Sequence, residues 1–190
     1  QEASALHVVI PDPAHLPEIG LEQALESAFS ITSSFETTGD RFQQVSGNFD
    51  GAGISFGPAQ WNFGSGTLVP LFRHFEDADQ AALAACFTDP IDYQEWERIL
   101  SRQATEQIRW ADRISTGRMK QEVVEPWRSY LRAVGRVRAF RAVMVETAMR
   151  AYGARVLDAV KYLQKLAPEV EINHLRCFCS LYDLAIQQGS

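Results

Sequence analysis

Glu36 and Asp50 stand fourteen residues apart in a stretch unlike the rest of the chain, SFETTGDRFQQVSGNFDGAGISFGPAQWNFGSGTL, Ser34 to Leu68. The stretch also holds Asp40, the aromatic residues Phe56, Trp61 and Phe63, and seven glycines. Glycine at this density is unfavourable in backbone entropy and exceeds what a turn requires. Two carboxyl groups flanking a glycosidic bond can hydrolyse it, one giving a proton to the leaving oxygen and the other activating water. In the inverting geometry they stand roughly 6.5–9.5 Å apart, leaving room for that water. Glu36 follows Phe35 at the end of a helical pattern. An apolar neighbour and the negative end of a helix dipole both favour its neutral, acidic form. Asp50 lies in NFDGAGISFG, where backbone donors left open by glycine favour an ionised carboxylate and substrate can approach closely. Ser55 is placed to hold the attacking water with Asp50, and Phe56, Trp61 and Phe63 offer faces for sugar rings. Asp40 is the alternative second carboxylate. A Glu and an Asp at this spacing are common, glycine-rich hairpins also serve as plain turns, and Trp61 fits a core position as well as a sugar face.

These residues need elements to position them. Residues 1–17, with Pro11, Pro13 and Pro17, read as an extended lead-in. The spacing of Leu21, Leu25, Ala28, Phe29 and Phe35 predicts a helix over 18–35, stopped near Gly39. RFQQV, GISFG and QWNFG read as short strands of a hairpin-rich sheet. The chain is helical beyond Thr67: LVPLFRHF with Pro70 in its first turn, then DADQAALAACF with an Asp cap. PIDYQEWERILSRQATEQIRWADRI reads as one long amphipathic segment, and EPWRSYLRAV as a helix with Pro126 at its first position. VRAFRAVMVETAMRAYGARVLDAVKYLQKL is long, with a break expected at Gly153, and EINHLRCFCSLYDLAIQQG closes on Gly189 as a cap. The expected fold is α+β, mostly α: a small β-hairpin sheet beside an acid-bearing helix, with further helices making a second lobe and a cleft between.

Bulk properties bound the rest. With 190 residues, 46% hydrophobic and 22% charged, the chain is expected to be a single domain over 1–190. It has no apolar run of the roughly 20 residues that span a bilayer, so no membrane partner is expected. No basic-then-apolar leader opens it, and it starts at Gln1 without Met, so a domain excised from a longer protein is expected. Cys86, Cys177 and Cys179 give no disulfide framework. His7, His15, His74 and His174 have no metal-ligand spacing, so neither metal nor cofactor is expected. Residues 1–97 hold 15 acids and 2 bases, whereas residues 98–165 hold 15 bases and 6 acids. This asymmetry fits either helix faces that neutralise one another or a groove with one wall of each sign. Aromatics do not interleave with the bases, which argues against nucleic acid.

The combination resembles the lysozyme-like glycoside hydrolase superfamily. ITSSFE, Ile31 to Glu36, is similar to the helix end bearing the catalytic Glu of chitosanases. DGAGISFG, Asp50 to Gly57, is similar to their segment holding the second carboxylate and a water-positioning hydroxyl. SLYDLAIQQG, Ser180 to Gly189, resembles a closing helix of the same family, and GISFGPAQWN resembles the hairpin of goose-type lysozymes and lytic transglycosylases. The longer form FDGAGISFGPAQWNFGSGTL looks like bacterial peptidoglycan-hydrolase domains. The resemblance covers roughly 35 residues at the site and ten near the end, with helical character between.

The resemblance implies a two-lobed lysozyme-like fold with Glu36 as general acid, Asp50 as general base and Ser55 as the water-orienting hydroxyl. It also implies Gln60 lining the sugar site, beside Phe56, Gly57, Trp61 and Asn62 of the same hairpin. The chain departs from chitosanases at Ala52, where they carry a base, and at Gln60 and Trp61, where they carry a smaller residue. Arg98, Arg102, Arg109 and Arg113 add positive charge, more congenial to anionic peptidoglycan than to cationic chitosan. The expectation is a muramidase acting as a monomer on the peptidoglycan glycan strand. The alternatives are a chitosanase, a lytic transglycosylase and a non-catalytic glycan-binding module. Such a domain would be made in a bacterial or phage-infected cytoplasm and act in a target cell's periplasm or wall. As a toxin it would be met by an immunity protein that plugs its groove.

Overall fold

The structure is a computed structural model that describes residues 40–166, 179–182 and 184. The protein is mostly helical with a small antiparallel sheet. Its contacts divide it into two compact units, one of Thr38–Met144 and one of Gln1–Thr37 with Val145–Ser190. The expected lead-in, the helix over 18–35 with Glu36, and the Gly189 cap lie outside the described residues.

In the Thr38–Met144 unit the chain opens with a 3₁₀ turn, Arg41–Gln43, capped by Asp40, whose side chain accepts from the Phe42 N–H. The expected strand RFQQV is therefore mostly turn. Pairing begins only at β1 (Val45–Ser46), followed by β2 (Ser55–Phe56) and β3 (Trp61–Asn62). The order is β1-β2-β3, antiparallel, with Val45 opposite Phe56 and Phe56 opposite Trp61. Gly57 starts the β2–β3 turn at φ 73°, and a Cβ there would come within 2.8 Å of the Trp61 ring. A side chain would be strained at that φ and would also displace Trp61.

Helix α1 (Leu68–Ala85) joins the two helices expected from the sequence across a kink at Asp79 (φ −165°, ψ 86°). The Asp79 carboxylate accepts from the Ala82 N–H at 2.9 Å, capping the second segment as read from DADQ. Helix α2 (Pro90–Leu100) has Asp89 as its cap and Pro90 in its first turn. The expected long amphipathic segment is broken, because α3 (Ala104–Ile114) starts anew. Side chains explain the break. The Ser101 hydroxyl returns to Glu97 O at 2.9 Å, and buried Gln107 donates Nε2 to Ile99 O at 3.1 Å and Leu100 O at 3.3 Å. The last carbonyls of α2 are thus satisfied without further helix.

A second hairpin follows that periodicity did not reveal, β4 (Ser115–Thr116) with β5 (Glu122–Val123). Helix α4 (Trp127–Val134) begins one residue after Pro126, which holds helical angles (φ −86°, ψ −5°) but precedes the helix. Helix α5 (Arg138–Leu166) runs through Gly153, so the break expected there is absent. Phe140, Met144, Ala148, Tyr152, Val156 and Val160 are buried at every fourth position. That apolar stripe outweighs the roughly 1 kcal/mol of one helical glycine.

The core of this unit is aromatic. Trp96 is fully buried, with its ring 4.7 Å from Phe72, 5.7 Å from Trp110 and 6.2 Å from Phe63. Phe72 in turn meets Phe56 at 5.6 Å and Phe75 at 5.1 Å, so the sheet is fixed to α1 and α2 through rings. Each such side chain buries about 150–250 Å². In the other unit, the Tyr152 and Tyr182 rings meet edge to face at 6.4 Å, and burial pushes both phenols up.

Candidate functional site

The loop Gly47–Gly53, between β1 and β2, carries Asp50 and is held at both ends. The Gly47 N–H donates to Gln121 O at 3.1 Å, and a Cβ on Gly47 would lie 2.3 Å from Lys120 O. Glycine is required for that approach to the β4–β5 hairpin. Asn48 does most of the anchoring. Its N–H donates to Ser115 Oγ at 2.8 Å and its Nδ2 to Asp112 Oδ1 at 3.2 Å, and its Oδ1 accepts from the Gly53 N–H at 2.8 Å. Ser115, itself buried, donates its hydroxyl to Ala111 O in a hydrogen bond of 2.6 Å. Lys120 closes the cluster, donating Nζ to both Asp112 O and Asp112 Oδ2 at 2.9 Å. The hydrogen bonds from Lys120 and Asn48 hold the Asp112 carboxyl below the usual carboxylate range.

At the tip, Phe49 and Asp50 are exposed side by side. Asp50 Oδ1 accepts from the Ala52 N–H at 3.0 Å, a local turn that fixes the carboxylate's direction. Oδ2 has no partner among the described residues and stands open to solvent. A carboxylate with one oxygen fixed and one open suits an acceptor of protons or hydroxyl hydrogens.

The other expected site residues are placed differently. Ser55 lies in the central strand β2 at 3% exposure, and no hydrogen bond joins it to Asp50. Phe56 and Phe63 are fully buried and Trp61 is 2% exposed, so these rings face the protein core rather than a sugar. The reason is the pairing: β2 has a neighbour on each edge and α1 packed on its rings. Gln60, at φ 53°, turns its Nε2 back to Gly57 O at 3.1 Å. Asn62 donates to Gln60 O at 3.1 Å and accepts from the Ser65 N–H at 2.8 Å. Both amides thus build their own turns, with Gly57 as the first residue of one.

Asp40 is occupied. It caps the 3₁₀ turn, accepts from Gln43 Nε2 at 2.7 Å and pairs with Arg141. Partial burial works against its charge, but the hydrogen bonds from Gln43 and Arg141 outweigh it and hold the carboxyl below its usual value. Glu36 lies outside the described residues.

Arg98, Arg102, Arg109 and Arg113 are exposed and, among the described residues, form no ion pair. Other bases are paired, including Arg73 with Glu76 and Glu97 and Arg128 with Glu125. These pairs each lie within one charge-biased segment, and among the described residues only Arg141 with Asp40 joins the two. Asn48, Phe49, Asp112 and Lys120 were not singled out from the sequence. Asn48 carried a faint signal, an Asn two residues before an Asp–Gly in a glycine-rich loop. Asp112 carried none, being 64 residues distant. No family model, curated protein or solved structure matches this chain.

Proposed function

We propose that this chain is a peptidoglycan hydrolase, a muramidase cleaving the β-1,4 bond between N-acetylmuramic acid and N-acetylglucosamine, with a lysozyme-like two-lobed fold. The observation that carries the reading is the anchored Gly47–Gly53 loop, which presents Asp50 with one oxygen fixed and the other open. It coincides with the segment DGAGISFG, whose resemblance to glycoside hydrolases assigns the second carboxylate to Asp50. Glu36 then protonates the leaving oxygen while Asp50 takes a proton from water. Ser55 as the water-orienting hydroxyl is carried by the resemblance alone. The exposed Arg98, Arg102, Arg109 and Arg113 suit an anionic polymer. The enzyme acts as a monomer in the periplasm or wall of a target cell, as a toxin or lysin domain, with an immunity protein as its natural inhibitor.

Digestion of purified peptidoglycan by the wild type, Glu36→Gln and Asp50→Asn, with products read by mass spectrometry, tests this. Muropeptides with new reducing ends from the wild type alone are expected. Anhydro products with an active Asp50→Asn would replace hydrolysis by transglycosylation. Cleavage of chitosan with peptidoglycan untouched would make the enzyme a chitosanase.

A further inference from the structure

The aromatics of the glycine-rich stretch divide sharply by position. Phe56, Trp61 and Phe63 are core, and Phe42 is half-buried beneath the Arg141 guanidinium, 5.0 Å from its ring centroid. Phe49 is 51% exposed. A single exposed apolar residue is ordinary on a protein surface. Three features set this one apart. Its loop is fixed on both sides, by Gly47 to Gln121 and by Asn48 to Gly53, so the ring is displayed by a braced backbone. The Phe49 N–H itself donates to Gly47 O at 3.0 Å, closing a tight turn. The next residue is the open carboxylate of Asp50.

A pyranose ring has a face of C–H groups and an edge of hydroxyl donors. A flat apolar ring beside a carboxylate acceptor matches both at adjacent positions, and a braced loop loses little freedom when it binds. We infer that Phe49 is the stacking surface for a sugar ring of the glycan, next to the bond that Asp50 addresses. It takes the role first expected of Trp61 and Phe56. The inference rests on the glycan reading of the site.

The test uses soluble, uncrosslinked peptidoglycan glycan strands. Binding is measured by calorimetry on Glu36→Gln, with and without Phe49→Ala, and steady-state kinetics are measured on otherwise wild-type protein. Phe49→Ala is expected to weaken binding and raise KM about tenfold, with a smaller change in kcat and an unchanged melting temperature. Phe49→Trp is expected to restore binding, and Phe49→Leu, apolar but without a flat face, is not. If Phe49→Ala binds and turns over as its parent does while the parent is active, the stacking role is wrong and the hydrolase reading stands. A Phe49→Leu protein as good as wild type would likewise overturn it. Absence of both binding and cleavage in the wild type would remove the hydrolase reading, and this inference with it.

Discussion

Asn48 and Asp112 hydrogen-bond across 64 residues of sequence, Nδ2 to Oδ1 at 3.2 Å, and tie the loop carrying Asp50 to the end of helix α3. Asp112 is held in turn by Lys120 at 2.9 Å, a residue at positive φ (57°) in the β4–β5 turn. A non-glycine residue in that conformation is uncommon and needs support from its surroundings. The Lys120 side chain supplies it through two contacts to Asp112. The second hairpin thus acts as a bracket: it has only two residues per strand, and its work is to hold the first loop.

Removing the bracket has a defined expected effect. Asn48→Ala leaves the Gly53 N–H without its acceptor and Asp112 without one donor. The expected loss is about 1–2 kcal/mol of global stability. Amide hydrogen exchange at Gly53 should accelerate more than exchange in α2 or α3, since local opening precedes global unfolding. Exchange that rises equally everywhere would show that Asn48 supports the whole unit rather than the loop.

Trp96 is the position where the core is most sensitive. Its ring is fully buried among Phe72, Trp110 and Phe63, so Trp96→Ala is expected to cost about 3–5 kcal/mol. Trp96→Phe should cost clearly less. It keeps a ring against Phe72 and removes an indole N–H that is buried without a partner among the described residues. Urea unfolding of the three proteins checks this, and equal losses for both substitutions would mean the indole N–H is satisfied after all.

Much of the fold was legible in the sequence. The Asp cap in DADQ, helical periodicity after Thr67 and glycine-bounded strands all follow from local chemistry. What failed is instructive. Whether an aromatic in a glycine-rich hairpin faces solvent or core depends on what packs upon the sheet, and Phe56 is buried because Phe72 of α1 lies on it. Periodicity ran straight through Ser101 because the signal that ends α2, Gln107 reaching back to its carbonyls, is a tertiary contact. Asp50 was legible as a carboxylate in an open loop. The anchoring by Asn48 and Asp112 was not, since no local pattern couples residues so far apart.

Stability should fall on the acid side. Asp40 and Asp112 both titrate below their ordinary values in the folded protein, so the folded state binds their protons less readily than the unfolded chain. Their contribution is complete above the unfolded carboxylate value of about 3.9 and is lost as pH falls through the lower folded values. Melting temperatures from these two groups are therefore expected to be level between about pH 5 and pH 8 and to drop below about pH 4. The Asp112→Asn protein should show a shallower acid drop, and an unchanged slope would place the dependence elsewhere.

The two candidate partners of Glu36 are separated by what each substitution leaves behind. Asp40→Asn keeps an oxygen for the Phe42 N–H but removes the charge that pairs with Arg141. It should lower the melting temperature by a few degrees and leave activity per folded molecule nearly unchanged. Asp50→Asn keeps an oxygen that can accept from the Ala52 N–H, so the loop should hold its shape and the melting temperature should stay put. The open oxygen, however, loses its charge and with it the ability to take a proton from water. Its kcat is expected to fall by about 10²–10⁴, the usual worth of a general base. Measuring kcat and melting temperature on both proteins gives opposite patterns if Asp50 is the base and Asp40 a structural cap. A collapse of kcat in Asp40→Asn with full activity in Asp50→Asn would reverse the assignment and move the chemistry to the 3₁₀ turn.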